Sequence, residues 1–142
     1  MAQIRLSIVI DAPPENIYPL IATARGFSLW WAAGVTENGG AVDLGFFNRA
    51  TVYRLQLVRS VEPGEAEWHC LSGREWNGTR LLFSLEQNNG KTLVRFTHAD
   101  WEAETDYFVN CTTTWGELMY RLKATAEGKS PGPLFSAAGL AY

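Results

Sequence analysis

The sequence TDYFVNCTTTWGELMYRLKATAE, residues 105–127, changes the hydrophobic period of the chain from two to about 3.6. Acidic residues stand near its start, basic residues near its end, and Gly128 follows it, which is the charge order that the helix dipole favours. Its apolar residues lie on one stripe of a helix of about six turns. They are Phe108, Cys111, Trp115, Leu118, Leu122 and Ala126. The stretch therefore predicts one long helix with a single buried face.

Gly116 lies in the middle of this predicted helix. Glycine costs about 1 kcal/mol relative to alanine at such a position. Its presence therefore indicates that the sheet or a ligand approaches the helix closely there.

The chain before this helix reads as a series of short strands, because polar and apolar residues alternate in it. Turn sequences separate the strands at residues 38–40, 63–64, 77–78 and 88–90. Such short connections imply antiparallel neighbours. The predicted strands are residues 3–11, 35–37, 41–47, 50–61, 65–72, 79–87 and 91–101.

Two short helices are predicted after the first strand. The first runs through Ile17 and Ile21 and is kinked or shortened by Pro19, and the second covers residues 27–33 after a break at 24–26. An antiparallel meander must bury its apolar face against the long final helix, and a strongly twisted sheet curls. The sequence thus predicts an α+β helix-grip fold. In this fold a curved antiparallel sheet of six to seven strands surrounds the C-terminal helix and leaves an apolar cavity beside it.

The length and charge of the chain restrict its class. Its 142 residues suit one domain, which we place at residues 1–135, with a loosely ordered tail at 136–142. The net charge is −3 and basic residues are not clustered, so nucleic acid is not an expected partner. No apolar stretch reaches the roughly 20 residues that span a bilayer. The N-terminus reads as a strand rather than a signal peptide, so a cytoplasmic location is expected.

Several short motifs, in this order and spacing, resemble a known family. They are Trp30-Trp31, Gly39-Gly40, Trp76-Asn77-Gly78-Thr79, Thr97-His98-Ala99-Asp100-Trp101 and Trp115-x-x-Leu118-x-x-x-Leu122-Lys123. Together they are similar to the SRPBCC (START/Bet v-like) superfamily, in the branch related to the C-terminal domain of the activator of heat-shock-protein-90 ATPase. The resemblance extends from about Ile4 to Phe135 and implies the helix-grip fold. Relatives of this fold include co-chaperone-like regulators and enzymes of the cyclase or dehydratase kind.

The residues that face the predicted cavity are mostly aromatic. Strand alternation places Phe96 and His98 on its concave side, and Tyr53 is a second polar candidate there. Trp30 and Trp31 are adjacent on a short helix, so one is expected to point inward and the other to border the cavity mouth. The predicted ligand-binding residues are Trp30, Trp31, Tyr53, Phe83, Phe96, His98, Cys111 and Trp115.

The spacing of the titratable residues does not indicate catalysis or metal binding. His69 and Cys70 are neighbours on a predicted strand, so their side chains point to opposite faces and cannot form a dyad. Neither a metal-ligand spacing, nor a phosphate-binding loop, nor a pair of carboxylates at a useful separation is present. We therefore predict no catalytic residue, no metal and no cofactor.

Three functions remain open at this point. The first is binding of a small apolar or aromatic molecule in the internal cavity, with His98 and Tyr53 as polar contacts. The second is an enzyme of the cyclase or dehydratase kind, and the third is a co-chaperone-like protein-interaction domain. Open sheet edges and an apolar C-terminal segment are also consistent with a homodimer.

Overall fold

A computed structural model describes residues 2–45 and 52–136 of the chain. Within these residues one strand is followed by two short helices, six further strands and a long final helix. The elements are β1 (Ala2–Ile10), α1 (Pro14–Ala22), α2 (Ala24–Trp30), β2 (Gly34–Asn38), β3 (Ala41–Gly45), β4 (Val52–Val61), β5 (Glu65–Cys70), β6 (Arg80–Asn88), β7 (Lys91–Trp101) and α3 (Asp106–Ala126). The predicted strand ends at residues 46–47 and 50–51 lie outside the described residues, as does most of the predicted tail, residues 137–142.

The seven strands form one antiparallel sheet in the order β1-β7-β6-β5-β4-β3-β2. Six strands follow each other as a meander, and β1 joins the far edge by pairing with β7, so that Ile4 lies opposite His98. Apolar side chains alternate onto the concave face, which α3 and the two short helices cover. The predicted α+β helix-grip fold is confirmed.

The long helix α3 has the buried stripe that its sequence predicts. Its N-cap is Thr105, whose Oγ1 accepts a hydrogen bond from the Phe108 N–H at 3.2 Å. Its buried residues are Phe108, Cys111, Trp115, Leu118, Met119 and Leu122, and the predicted stripe residue Ala126 is only partly buried. Gly116 is not on this stripe, and a Cβ built on it would meet no atom within 4 Å. The expected close approach of the sheet at Gly116 is therefore wrong.

The boundary between α1 and α2 differs from the prediction. Residues 24–26 are not the predicted interruption between the two helices, because they form the first turn of α2, which begins at Ala24 and ends at Trp30. Thr23 caps it by accepting a hydrogen bond from the Gly26 N–H at 2.9 Å. A Cβ on Gly26 would stand 2.1 Å from the Pro19 carbonyl oxygen. Because Gly26 has no side chain, α1 and α2 can pack in direct contact. This close packing explains why glycine, a poor helix former, is found inside α2.

The segment after α3 returns to the end of α2. Leu134 and Phe135 are buried, and their N–H groups donate to the carbonyl oxygens of Trp30 and Trp31 at 3.2 and 3.0 Å. The Ala33 N–H donates to the Phe135 carbonyl oxygen at 2.8 Å. We call residues 133–136 the C-terminal strap. It closes the sheet–helix interior on the side of α2.

Candidate functional site

The space between the concave face of the sheet and α3 is filled by aromatic side chains. All six tryptophans of the chain lie among the described residues and are at most 4% exposed. Trp115 is central, with ring centroids 4.2 Å from Phe96, 5.0 Å from Trp31 and 6.0 Å from Trp76. The interior is thus a packed aromatic core where the sequence predicts a partly open cavity. The reason is the number of large rings that strand alternation and the α3 stripe direct into one space.

Both members of the Trp30-Trp31 pair are buried, so the expectation that one of them borders a pocket mouth is wrong. The Trp30 indole Nε1–H donates to the Leu20 carbonyl oxygen at 2.8 Å. Trp31 is the C-cap of α2, where the helix ends and the side chain turns toward Trp115. The C-terminal strap covers both residues from outside.

The eight residues predicted to bind a ligand lie in one connected cluster. Phe83 contacts Phe96, which contacts Trp115, and Trp115 in turn contacts Trp31 and His98. Trp30 stacks on Trp31 with a centroid separation of 5.8 Å. Tyr53 and Cys111 join the cluster through Trp76, a residue that the sequence analysis missed as a site residue.

His98 is a buried, neutral residue with both ring nitrogens engaged. Its Nδ1 accepts a hydrogen bond from the Trp115 Nε1–H at 3.2 Å, which leaves Nε2 as the N–H that faces Thr79 Oγ1 at 2.8 Å. The Thr79 hydroxyl donates onward to the Trp76 carbonyl oxygen at 2.6 Å. Burial lowers the pKa of His98 to about 3, because the imidazolium would lose its hydration there. Asp100, two residues after His98, binds Arg80 at 2.6 Å.

Polar atoms gather at one end of the aromatic interior, near the start of α3. The hydroxyl oxygens of Tyr53 and Tyr107 are 2.5 Å apart, and the thiol of Cys111 lies beside Trp76 and Tyr107. Trp101 lies beside His98 with a centroid separation of 4.6 Å. Its Nε1–H is buried and has no hydrogen-bond partner among the described residues. We call Tyr53, His98, Trp101, Tyr107 and Cys111 the polar cluster.

Every member of the polar cluster that titrates is uncharged at neutral pH. Burial raises the pKa of Tyr53, of Tyr107 and of the Cys111 thiol, and it lowers that of His98. The cluster is therefore a set of neutral hydrogen-bonding groups in apolar surroundings. It favours a neutral guest over an ion, since a charge would have to leave water without a counter-charge.

The connection between β5 and β6, residues 71–79, covers the polar cluster. Gly73 has φ +121°, and a Cβ there would stand 2.4 Å from the Tyr53 ring. The Arg74 guanidinium lies 4.6 Å from the centre of the Tyr107 ring. Glu75 has φ +59°, and its Oε1 accepts a hydrogen bond from the Thr105 hydroxyl at 2.6 Å. The connection is thus hydrogen-bonded to the N-cap residue of α3. Within the described structure it lies between the polar cluster and solvent.

A cavity of about 700 Å³ lies on the opposite, convex face of the sheet. It is an open trough lined by residues of β1, β4, β5, β6 and β7, with the outward-pointing Arg5, Arg59 and Arg95 among them. Arg59 pairs with Glu65 at 2.8 Å and Arg95 with Glu86 at 2.7 Å. The guanidinium groups of these two residues are thus partly neutralised by neighbouring carboxylates.

The described residues contain no cluster of three or more histidine, cysteine or acidic side chains that could hold a metal ion. His69 lies on the convex face, where its Nε2 is 3.0 Å from Glu67, and Cys70 is buried on the concave face. Burial raises the pKa of Cys70 to about 12, so its thiol is not a nucleophile at neutral pH. Within residues 2–45 and 52–136 no helix has the length and hydrophobicity needed to cross a membrane.

No family model and no curated protein matches the sequence. Solved structures do match. The Aha1 dimer from Colwellia psychrerythraea is 28% identical, with a TM-score of 0.79 over 90% of this chain and 98% of that one. Protein CV1439 from Chromobacterium violaceum is 18% identical, with a TM-score of 0.73 over 89% of this chain and 98% of that one. CalU16 from Micromonospora echinospora is 16% identical, with a TM-score of 0.73 over 93% of this chain and 69% of that one.

The two matches of lower identity show a shared fold, and the Aha1 match adds sequence similarity over nearly the whole chain. Aha1 is the activator of heat-shock-protein-90 ATPase whose C-terminal domain the sequence resembles. The structural neighbours are SRPBCC-type proteins, and the predicted resemblance to this superfamily and to its Aha1-related branch is confirmed.

Proposed function

We propose that the protein binds a small, flat, neutral and largely apolar molecule at the polar cluster. The observation that carries this proposal is the Trp101 Nε1–H, a buried donor without a partner among the described residues. Buried polar groups are nearly always hydrogen-bonded, and a ligand oxygen would supply the missing acceptor. Ligand sites commonly combine such a polar group with an apolar lining.

Access to the polar cluster requires movement of the residues that cover it. The aromatic rings fill the interior as described, so a ligand has to displace Tyr107 or the connection at residues 71–79. The tip of this connection, residues 73–75, contacts the rest of the chain through the Gly73 backbone on Tyr53, Arg74 over Tyr107 and the Glu75–Thr105 hydrogen bond. Trp76 and Thr79 of the same connection are buried, whereas the tip lies near the surface, and such segments open at lower free-energy cost than the core.

Binding rather than turnover is the proposal because the acid–base groups are unsuitable. A general base works best when its pKa is near the operating pH. The His98 pKa of about 3 and the raised pKa values of Tyr53, Tyr107 and Cys111 do not meet that condition. A cytoplasmic location is part of the proposal, since Cys70 and Cys111 are free and buried, as a reducing compartment allows.

A thermal-shift and calorimetry experiment with two matched probes tests this function. The neutral probe is 2-naphthol and the charged one is 2-naphthoate, which has the same rings. A ligand that binds only the native state raises the melting temperature. We expect 2-naphthol to raise it more than 2-naphthoate does. Trp101→Phe removes the donor but keeps an aromatic ring, and it should weaken 2-naphthol binding by about tenfold.

Two controls keep this experiment interpretable. Tyr120→Phe alters an exposed aromatic residue far from the polar cluster in the α3 sequence, and it should leave binding unchanged. The melting temperature of each variant without probe reports folding separately. Equal affinity of the wild type and Trp101→Phe for 2-naphthol, or no binding of it, would contradict the proposal.

We propose in addition that the chain self-associates and acts as a protein-interaction domain of the Aha1-related kind. The observation that favours this is the similarity to the Colwellia psychrerythraea Aha1 dimer along 90% of the chain. Sedimentation velocity over a range of protein concentrations tests it. A sedimentation coefficient that stays at the monomer value at the highest concentration would contradict it.

A further inference from the structure

The outer face of α3 carries an exposed stripe that no other part of the described chain covers. Its residues, Val109, Thr113, Gly116 and Tyr120, are spaced 4-3-4 and so lie along one side of the helix. Val109 is 57% exposed and Tyr120 is 67% exposed, and they are the two most exposed large hydrophobic residues of the described chain. We call these four residues the α3 stripe.

The two residues in the middle of the α3 stripe, Thr113 and Gly116, have small side chains or none. A Cβ on Gly116 would meet nothing within 4 Å, so no contact among the described residues explains the absence of a side chain there. Glycine weakens a helix relative to alanine, and Thr113 is also a weak helix former. Small residues between two larger apolar ones leave a depression on a helix surface, into which the backbone of a second helix can approach.

The α3 stripe is complementary to a second copy of itself. Val109 and Tyr120 stand about three turns apart, on either side of Thr113 and Gly116. If two α3 helices cross antiparallel about a two-fold axis between Thr113 and Gly116, Val109 of one copy meets Tyr120 of the partner subunit. Residue 113 then meets residue 116, so the smallest positions coincide at the crossing. A two-fold interface requires this kind of self-complementary patch.

The helix dipoles of α3 favour the same arrangement. Asp106 is exposed in the first turn, and Lys123 lies in the last turn at a nearly equal distance from the axis. The Lys123 Nζ is bound within its own chain to Glu127 Oε2 at 2.6 Å and to the Val9 carbonyl oxygen at 2.9 Å, so the pair of Asp106 and Lys123 adds no free counter-charge to the contact. The antiparallel crossing sets the positive end of each helix dipole against the negative end of the other.

We propose that the α3 stripe is the surface through which two copies of this chain associate, with α3 packed antiparallel on α3. The proposal rests on the self-association put forward above and assigns its interface. It leaves the sheet edges and the convex trough out of the contact. It also leaves out the residues 71–79 that cover the polar cluster, since the stripe lies on the side of α3 that faces away from the sheet.

Sedimentation equilibrium of the full chain tests this interface with three variants. Tyr120→Glu and Val109→Glu place a charge on the stripe, and Gly116→Leu fills the depression. Because each substitution occurs twice in a two-fold dimer, we expect each to raise the dimer dissociation constant by about tenfold or more. Val58→Glu is the matched control, since Val58 is a 46% exposed valine on β4 and should leave the dissociation constant unchanged.

A cysteine cross-link gives an independent readout. Thr113→Cys places a thiol beside the proposed axis, while the native Cys70 and Cys111 are buried. Oxidation should give a covalent dimer with Thr113→Cys and not with Asn88→Cys, which lies at the end of β6. Circular dichroism confirms that each variant is folded.

The possible results separate the two proposals. A monomeric wild type would overturn self-association and the interface together. A dimeric wild type whose dissociation constant is the same in all three stripe variants would overturn the interface and leave self-association standing. Selective loss of the dimer in the stripe variants, with a Thr113→Cys cross-link, would support the antiparallel α3 interface.

Discussion

The buried neutral His98 makes a quantitative prediction about stability at mildly acidic pH. Its pKa falls from an ordinary value of 6.5 to about 3 in the folded chain because burial removes the hydration of the imidazolium. Between these two values the unfolded chain binds a proton at this residue and the native chain does not. Stability therefore falls as the pH decreases through this range. Three neutral indole rings, those of Trp76, Trp101 and Trp115, lie around the imidazole and offer it no counter-charge.

The size of the effect follows from the unfolded-state pKa. Between pH 7 and pH 5, His98 should lower the free energy of unfolding by about 2 kcal/mol, at most 1.4 kcal/mol per pH unit. The loss changes little if the native pKa is one unit higher than about 3, because pH 5 remains above it. Above pH 7 the contribution disappears, since the imidazole is then neutral in both states.

Urea denaturation at pH 7 and pH 5 measures this loss in the wild type and in His98→Gln. Glutamine keeps a donor near the position of Nε2 and does not titrate. All carboxylates and His69 are present in both proteins, so their contributions cancel in the difference. We expect the wild type to lose about 2 kcal/mol more than His98→Gln over this range. Equal losses in the two proteins would refute the conclusion that His98 is buried and neutral.

Three further predictions concern packing. Gly116→Ala should stabilise the monomer by about 1 kcal/mol, whereas Gly26→Ala should destabilise it by about 3 kcal/mol because its Cβ meets the Pro19 carbonyl. Urea denaturation at a protein concentration where the chain is monomeric measures the two changes in unfolding free energy. If both substitutions stabilised the protein, or both destabilised it, the Cβ contacts described for these two glycines would be contradicted. Cys70 should react with a thiol reagent only after unfolding, and rapid native labelling would show that it is accessible. Phe135→Ala should cost about 3 kcal/mol and shift tryptophan emission to longer wavelength, since the C-terminal strap covers Trp30 and Trp31; unchanged emission would argue against this covering role.

The sheet and the long helix could be predicted from the sequence because both have a regular hydrophobic period. The stripe that includes Phe108 and Leu122 determines which side of α3 is buried, whatever the rest of the chain does. The α1–α2 boundary could not be predicted in this way. Gly26 is a helix breaker by propensity, and only the close approach of Pro19 shows why glycine is needed inside α2.

The candidate site was predicted in part, and the missed residues have a common cause. The strand alternation that identified Phe96 and His98 would place Asp100 inward and Trp101 outward. Asp100 adopts φ +69°, and the pairing with β1 shifts register at this point, so Trp101 turns inward beside His98. Trp76 lies in a connection that has no period at all. Alternation has no predictive value at such irregular positions.

The predicted cavity between sheet and helix was an inference from the curvature of the sheet. Curvature determines the space that is available but not the total volume of side chains that enter it. Trp30 and Trp31 both enter, because the C-terminal strap allows the end of α2 to turn inward. The strap is contributed by a segment whose Pro- and Gly-rich sequence reads as irregular, and the apolar pair Leu134-Phe135 is the one feature of that segment that suggests docking.

The position of β1 beside β7 has a consequence for how the chain acquires its structure. The meander from β2 to β7 needs only neighbouring strands, so it can form while synthesis is still in progress. β1 cannot pair until β7 has been synthesised, because Ala2 pairs with Trp101 and Ile10 with Thr92. Closing so long a loop is entropically costly and slows folding. The apolar side chains of β1 therefore emerge early from the ribosome and stay without their sheet partner until β7 has followed, an interval in which chaperones can bind them.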